Sequence, residues 1–107
     1  MVAYGDMEKR RPTYDLEAIK TALGSVETLA MTSSALREAL ALGFDRAGVA
    51  ETIGGIERQM FYKSMTTFAD HRVWQDVCHV PARGMGLYIK FQADIVTEFT
   101  VMSFKEK

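Results

Sequence analysis

Between residues 87 and 95 the chain alternates with a period of two. Leu87, Ile89, Phe91, Ala93 and Ile95 are apolar, and Tyr88, Lys90, Gln92 and Asp94 fall between them. Only extended backbone sends successive side chains to opposite faces. The segment therefore predicts a strand with one face in a core and the other facing water or a site. Three further runs are rich in β-branched and aromatic residues: MFYKSMTTF from Met60, RVWQDVCHV from Arg72, and EFTVMSFKE from Glu98. Short connections between the four favour an antiparallel meander.

Before residue 60 the pattern is helical. DLEAIKTALG predicts a first helix, with Asp15 as cap, Leu16, Ile19 and Leu23 on one face, and Gly24 at its end. SVETLAM is ambiguous and can be extended. SSALREALALG predicts a second helix, capped by Ser33 or Ser34, with a stripe through Leu36, Ala39 and Leu40. FDRAGVAETIGG predicts a third, with Asp45 as N-cap and Phe44 and Val49 at the spacing of a hydrophobic staple. Residues 1–12 read as irregular and polar, and 1–6 as a flexible extension. Helices followed by strands give an α+β fold, N-terminal helices packed on a C-terminal antiparallel sheet, in a single domain over residues 1–107.

Charge narrows the functional classes. The net charge is −1, so no global signature of nucleic-acid binding exists. A phosphate-bearing partner has to be met by a local patch, such as Lys9-Arg10-Arg11 or Lys105 and Lys107. One cysteine, Cys78, permits no intrachain disulfide, and one cysteine with two histidines offers no zinc-site spacing. No apolar run reaches the length of a membrane span or a signal peptide, so the chain reads as cytoplasmic with no membrane partner.

Counting across the turns places polar side chains together. Opposed residues of an antiparallel hairpin share a face about 5 Å apart. A first turn centred near residue 69, in FADH, opposes Lys63 and Gln75. A second, centred near Pro81 and Ala82, opposes Gln75 and Tyr88. A third, near Val96 and Thr97, opposes Tyr88 and Lys105. Lys63, Gln75, Tyr88 and Lys105 then form one row across four strands, conditional on register and on the absence of bulges. Phe61, Met65, Val73, Val77 and Val101 would share that face, which conflicts with an open site.

Two lysines, an amide and a phenol suit an anionic substrate. RNA carries its own nucleophile, the 2′-hydroxyl. An enzyme need only align it, take its proton, stabilise the phosphorane and protonate the leaving 5′-oxygen. Taken singly, each residue has an ordinary reading. A strand lysine is usually solvated, Trp74 and Met65 suit core packing, and His71 and His79 suit a surface. Arg83, in PARGMG, is either a phosphate contact or a loop arginine.

FYKSMTTFADHRVWQDV, GLYIK and the terminal VMSFKEK closely resemble the MqsR family, as do MEKRRPTY from Met7 and SSALREALALGFD. The resemblance spans residues 7–107. It implies a RelE-like toxin of a type II toxin–antitoxin system, a ribosome-independent endoribonuclease that cuts mRNA at GC-containing sites without metal or cofactor. It also implies an MqsA-type antitoxin partner, through which operator DNA is reached. By motif match, the family's catalytic residues fall on Lys63, Gln75, Tyr88 and Lys105, the same four as the counted row. Tyr62 is matched beside Lys63, and Met65 lies near the same site; Tyr62, Met65 and Arg83 are expected to contact substrate. The chain departs from the family pattern at Thr13, where a histidine can follow the early proline, and at Cys78-His79, where an aromatic residue is expected. The alternative is a catalytically inactive module that only binds antitoxin; near-zero net charge favours it, and retention of all four matched residues opposes it.

Overall fold

The computed structural model describes residues 7–70, 72–93 and 99–107. The expected extension, residues 1–6, lies outside them, as do His71 and residues 94–98, which include the expected third turn. Three helices, α1 (Leu16–Leu23), α2 (Ser33–Ala41) and α3 (Arg46–Gly54), precede the main sheet. The strands are β1 (Glu8–Lys9), β2 (Phe61–Thr66), β3 (Trp74–Ala82), β4 (Met85–Ala93) and β5 (Phe99–Glu106), in the spatial order β1-β2-β3-β4-β5, and each neighbouring pair is antiparallel. The fold is α+β, as expected, and β2 to β5 form the meander.

Capping explains the helix starts. Asp45 Oδ1 accepts from Gly48 N at 2.8 Å at the head of α3, and Phe44 and Val49 beside it are fully buried. At α2 the cap is Thr32, not Ser33 or Ser34. Its backbone is extended and its hydroxyl accepts from Ala35 N at 3.0 Å. The buried stripe of α2 is accordingly Ala35 and Ala39, while Leu40 is 54% exposed. Two alanines let the helix lie close on β5, and this packing overrides the larger leucines. The first twelve residues are not wholly irregular either: β1 adds an edge strand, pairing Glu8 with Met65 and Lys9 with Ser64.

The helices lie on one face of the sheet. Ile19, Leu23, Ala35, Ala39, Phe44, Val49 and Ile53 pack with Cys78, Val80, Leu87, Ile89, Phe91, Val101 and Phe104 in a single core. Residues 30–32 run along the open edge of β5, where Val101 N donates to Ala30 O and Thr32 N to Val101 O. That contact satisfies backbone groups an edge strand would leave exposed.

Two irregularities set which residues face away from the helices. Phe61 opposes Cys78 and Lys63 opposes Val77, so Tyr62 is an extra residue in β2. Lys90 opposes Ser103 and Phe91 opposes Val101, so Met102 is extra in β5. Each bulge moves one apolar residue, Phe61 or Val101, to the side of the core. The conflict on the polar face is thereby reduced to Met65 and Val77 among the described strand residues.

Candidate active site

The helix-free face is built from β2 to β5. Met65, Gln75 and Gln92 oppose one another at one level, and Lys63, Val77, Lys90 and Ser103 at the next. His79, Tyr88 and Lys105 make the third level, and the bulged Tyr62 reaches it from β2. The Tyr62 and His79 rings stack at 4.2 Å between centroids and 21° between planes. His79 and Tyr88 follow at 6.2 Å, tilted by 43°.

Cations flank this aromatic stack. Lys63 Nζ lies 5.4 Å from the Tyr62 ring centre, Arg10 Cζ also 5.4 Å from it, and Lys105 Nζ 5.3 Å from that of Tyr88. Lys63 also pairs with Glu8 at 2.7 Å. The hydrogen bond to Glu8 is the main reason its pKa rises, so Lys63 carries its charge throughout the neutral range. Burial raises the Tyr88 phenol pKa, against a smaller lowering by Lys63, so the phenol remains protonated there. Burial lowers the His79 pKa below the ordinary value, helped by the charges of Lys107 and Lys63, and favours the neutral imidazole.

The counted row is therefore corrected. The β2–β3 hairpin closes with Thr66 opposite Trp74, centred on Asp70 rather than residue 69, because Thr67 and Asp70 hold a wider loop together. Val77 takes the place expected of Gln75. The β3–β4 connection is a tight turn at Arg83 and Gly84, both at positive φ (53° and 77°), with Ala82 opposite Met85. Gln75 consequently opposes Gln92 and not Tyr88, a displacement of four positions, or about 13 Å along a strand. Both displacements are even, so all four expected residues keep the same face. Tyr88 does oppose Lys105, as counted.

Tyr62, Lys63, Tyr88 and Lys105 are thus brought together. Gln75 is not in that cluster; it is 7% exposed, and its side-chain amide donates to Gln92 Oε1 at 2.8 Å. Met65 lies opposite Gln75 on the same face. Arg83 is directed elsewhere: its guanidinium donates to Gly43 O at 2.8 Å and lies 4.1 Å from the Phe44 ring centre, against the α2–α3 junction. Trp74 is half-buried outside the core, with Lys9 Nζ 4.3 Å from its ring centre.

Two residues of the face were not among those expected. His79 was read as an ordinary surface residue, and the turn at Arg83-Gly84, counted correctly, puts it opposite Tyr88. Lys90 was already marked by the alternation of β4 as sharing the Tyr88 face. It is half-buried, and burial and then the nearby Lys105 lower its pKa, with Glu38 opposing.

Cys78 is no nucleophile at neutral pH. It faces the core at 4% exposure, and burial, with the Asp76 carboxylate adding to it, pushes the thiol up to about 12. Among the described residues, no group of three or more His, Cys, Asp or Glu is placed to hold a metal ion. Thr13 has a structural position: its hydroxyl meets Ser64 Oγ at 2.7 Å and its amide donates to Asp76.

A family described as "motility quorum-sensing regulator, toxin of MqsA" matches residues 11–106. The chain belongs to the MqsR toxin family. A relative, the mRNA interferase toxin MqsR of Escherichia coli (strain K12), is 40% identical over 103 residues, covering 94% of this chain and 100% of the relative. Family and relative together support the expectation of an endoribonuclease toxin. Among the described residues, no helix of this MqsR family member is long and apolar enough to cross a membrane.

Proposed function

We propose that this chain is the toxin of a toxin–antitoxin pair, an endoribonuclease that cleaves mRNA at GC-containing sites, independently of ribosomes and metal. An MqsA-type antitoxin neutralises it in the cytoplasm and carries it to operator DNA. The observation that carries this reading is the Tyr62–His79–Tyr88 stack, flanked by Lys63 and Lys105 on the helix-free face, in a chain of this family. Tyrosine rings beside cations suit single-stranded RNA: bases stack on Tyr62 and Tyr88 while ammonium groups meet the phosphates.

The substrate supplies the nucleophile. Lys63 and Lys105 stabilise the charge that builds on the phosphorane oxygens. Tyr88, protonated at neutral pH, donates to the leaving 5′-oxygen. Gln75, joined to Gln92, and Met65 beside it extend the path of the strand beyond the reacting phosphate. Arg83 serves the fold, by holding the β3–β4 turn to the α2–α3 junction.

A short RNA containing GC-type sites, incubated with the protein in excess EDTA, tests the reading. Fragments with 5′-hydroxyl ends are expected, with a loss of about 10²-fold or more in Lys63→Ala and Tyr88→Phe. Cleavage that disappears in EDTA contradicts metal independence. The second reading, an inactive antitoxin-binding module, is favoured by the Glu8 carboxylate that already occupies Lys63. Intact RNA from a folded protein that still binds its antitoxin selects that reading.

A further inference from the structure

The proposed reaction leaves one proton without an acceptor. Tyr88 is protonated, and Lys63 and Lys105 are cations, so none of them takes the proton of the 2′-hydroxyl. His79 lies between the two tyrosines on the same level of the sheet. Its ring stacks face to face on Tyr62, a contact made by the ring face and not by the edge that carries both nitrogens. Neither nitrogen has a hydrogen-bond partner among the described residues.

We infer that His79 is the general base of the cleavage step, an inference that rests on the toxin reading above. An imidazole nitrogen takes the 2′-hydroxyl proton as the 2′-oxygen bonds to phosphorus. The bond from phosphorus to the 5′-oxygen breaks with its electron pair, and that oxygen takes the Tyr88 hydroxyl proton. The products are a 2′,3′-cyclic phosphate and a 5′-hydroxyl. His79 then releases its proton to water, and the Tyr88 oxygen regains one.

The charges around the ring suit this role. Lys63 on β2, Lys105 on β5, Lys107 beyond it and Arg10 near Tyr62 are basic side chains; the Tyr88 phenol is protonated; Glu8, the nearby acid, is paired with Lys63. Burial first, and then the charges of Lys107 and Lys63, disfavour the imidazolium and favour the free base at neutral pH. Sequence alone could not nominate it, because the register that brings His79 beside Tyr88 depends on a two-residue turn.

The test is the pH dependence of single-turnover cleavage, read beside a proton NMR titration of the two imidazoles of the wild-type protein. Wild type should show a limb in which the rate falls about tenfold per pH unit below a pKa under 6.5. That kinetic pKa should match the imidazole resonance that His79→Gln removes. His79→Gln should lose the limb and about 10²–10⁴-fold in rate, while still binding an RNA whose cleavage-site 2′-hydroxyl is replaced by hydrogen. A retained limb in His79→Gln, or a near-wild-type rate, overturns the inference. So does a loss of binding equal to the loss of rate, which marks a stacking residue. If His79→Gln fails to fold, a mismatch between the wild-type kinetic and NMR pKa values is decisive against it. A wild type that cuts no RNA defeats the toxin reading itself, and His79 as its base along with it.

Discussion

In the proposed reaction Lys63 meets its substrate already paired. Its contact with Glu8, at 2.7 Å, lies on the helix-free face because Glu8 opposes Met65 on the neighbouring strand. The pair lowers the Glu8 pKa and raises that of Lys63, so both are charged at neutral pH. A phosphate arriving at Lys63 must displace Glu8 or share the ammonium with it. Glu8→Gln removes this competitor and is expected to tighten binding of a non-cleavable RNA several-fold at low salt. The gain should shrink as salt rises, because both the ion pair and the phosphate contact are screened. Fluorescence anisotropy across a salt series measures it, and an unchanged or weaker affinity contradicts the competition.

At the level of elements, the existence and type of the helices and long strands were legible in the sequence, because the period of two was plain in β4, β-formers marked the other strands, and caps and terminal glycines marked the helices. Asp45 and the Phe44–Val49 staple were legible for the same local reason. Register was not. The β2–β3 loop is set by a side chain, the Thr67 hydroxyl, which both donates to the Asp70 carbonyl and accepts from the Asp70 amide, and one residue of turn position moves each pairing by two. The bulges at Tyr62 and Met102 answer to packing on the helices, which strand patterns do not encode. Lys63, Gln75, Tyr88 and Lys105 nonetheless keep one face, since the errors were even-numbered, and the bulge rather than the alternation brings Tyr62 to Lys63, Tyr88 and Lys105. β3 is also tied to the N-terminal segment by a buried carboxylate: Asp76 accepts from Thr13 N at 3.1 Å to each oxygen and from Tyr14 N at 3.0 Å. Asp76→Ala leaves those part-buried amides unpaired and is expected to cost about 3 kcal/mol. Urea unfolding checks this, and a cost below about 1 kcal/mol contradicts the anchoring role.

Across the whole molecule, the fold separates two tasks. The helices bury one face of the sheet, and the other carries the residues proposed to meet RNA. Net charge of −1 concealed this, because Arg10, Lys63, Lys90, Lys105 and Lys107 gather around this site, where Glu8 pairs with Lys63. The site is assembled from lysines, tyrosines and a histidine, the one thiol is buried on the other side of the sheet, and the proposed step uses none of these side chains as nucleophile. The account therefore depends on the nucleophile being the RNA's own 2′-hydroxyl. The direct measurement is single-turnover cleavage of two otherwise identical strands, one all-ribose and one with a single 2′-deoxynucleotide at the cut site. The account predicts that the all-ribose strand gives a 2′,3′-cyclic phosphate and a 5′-hydroxyl end, and that the substituted strand binds equally well and stays intact at that site. Cleavage of the substituted strand at the same position would contradict it.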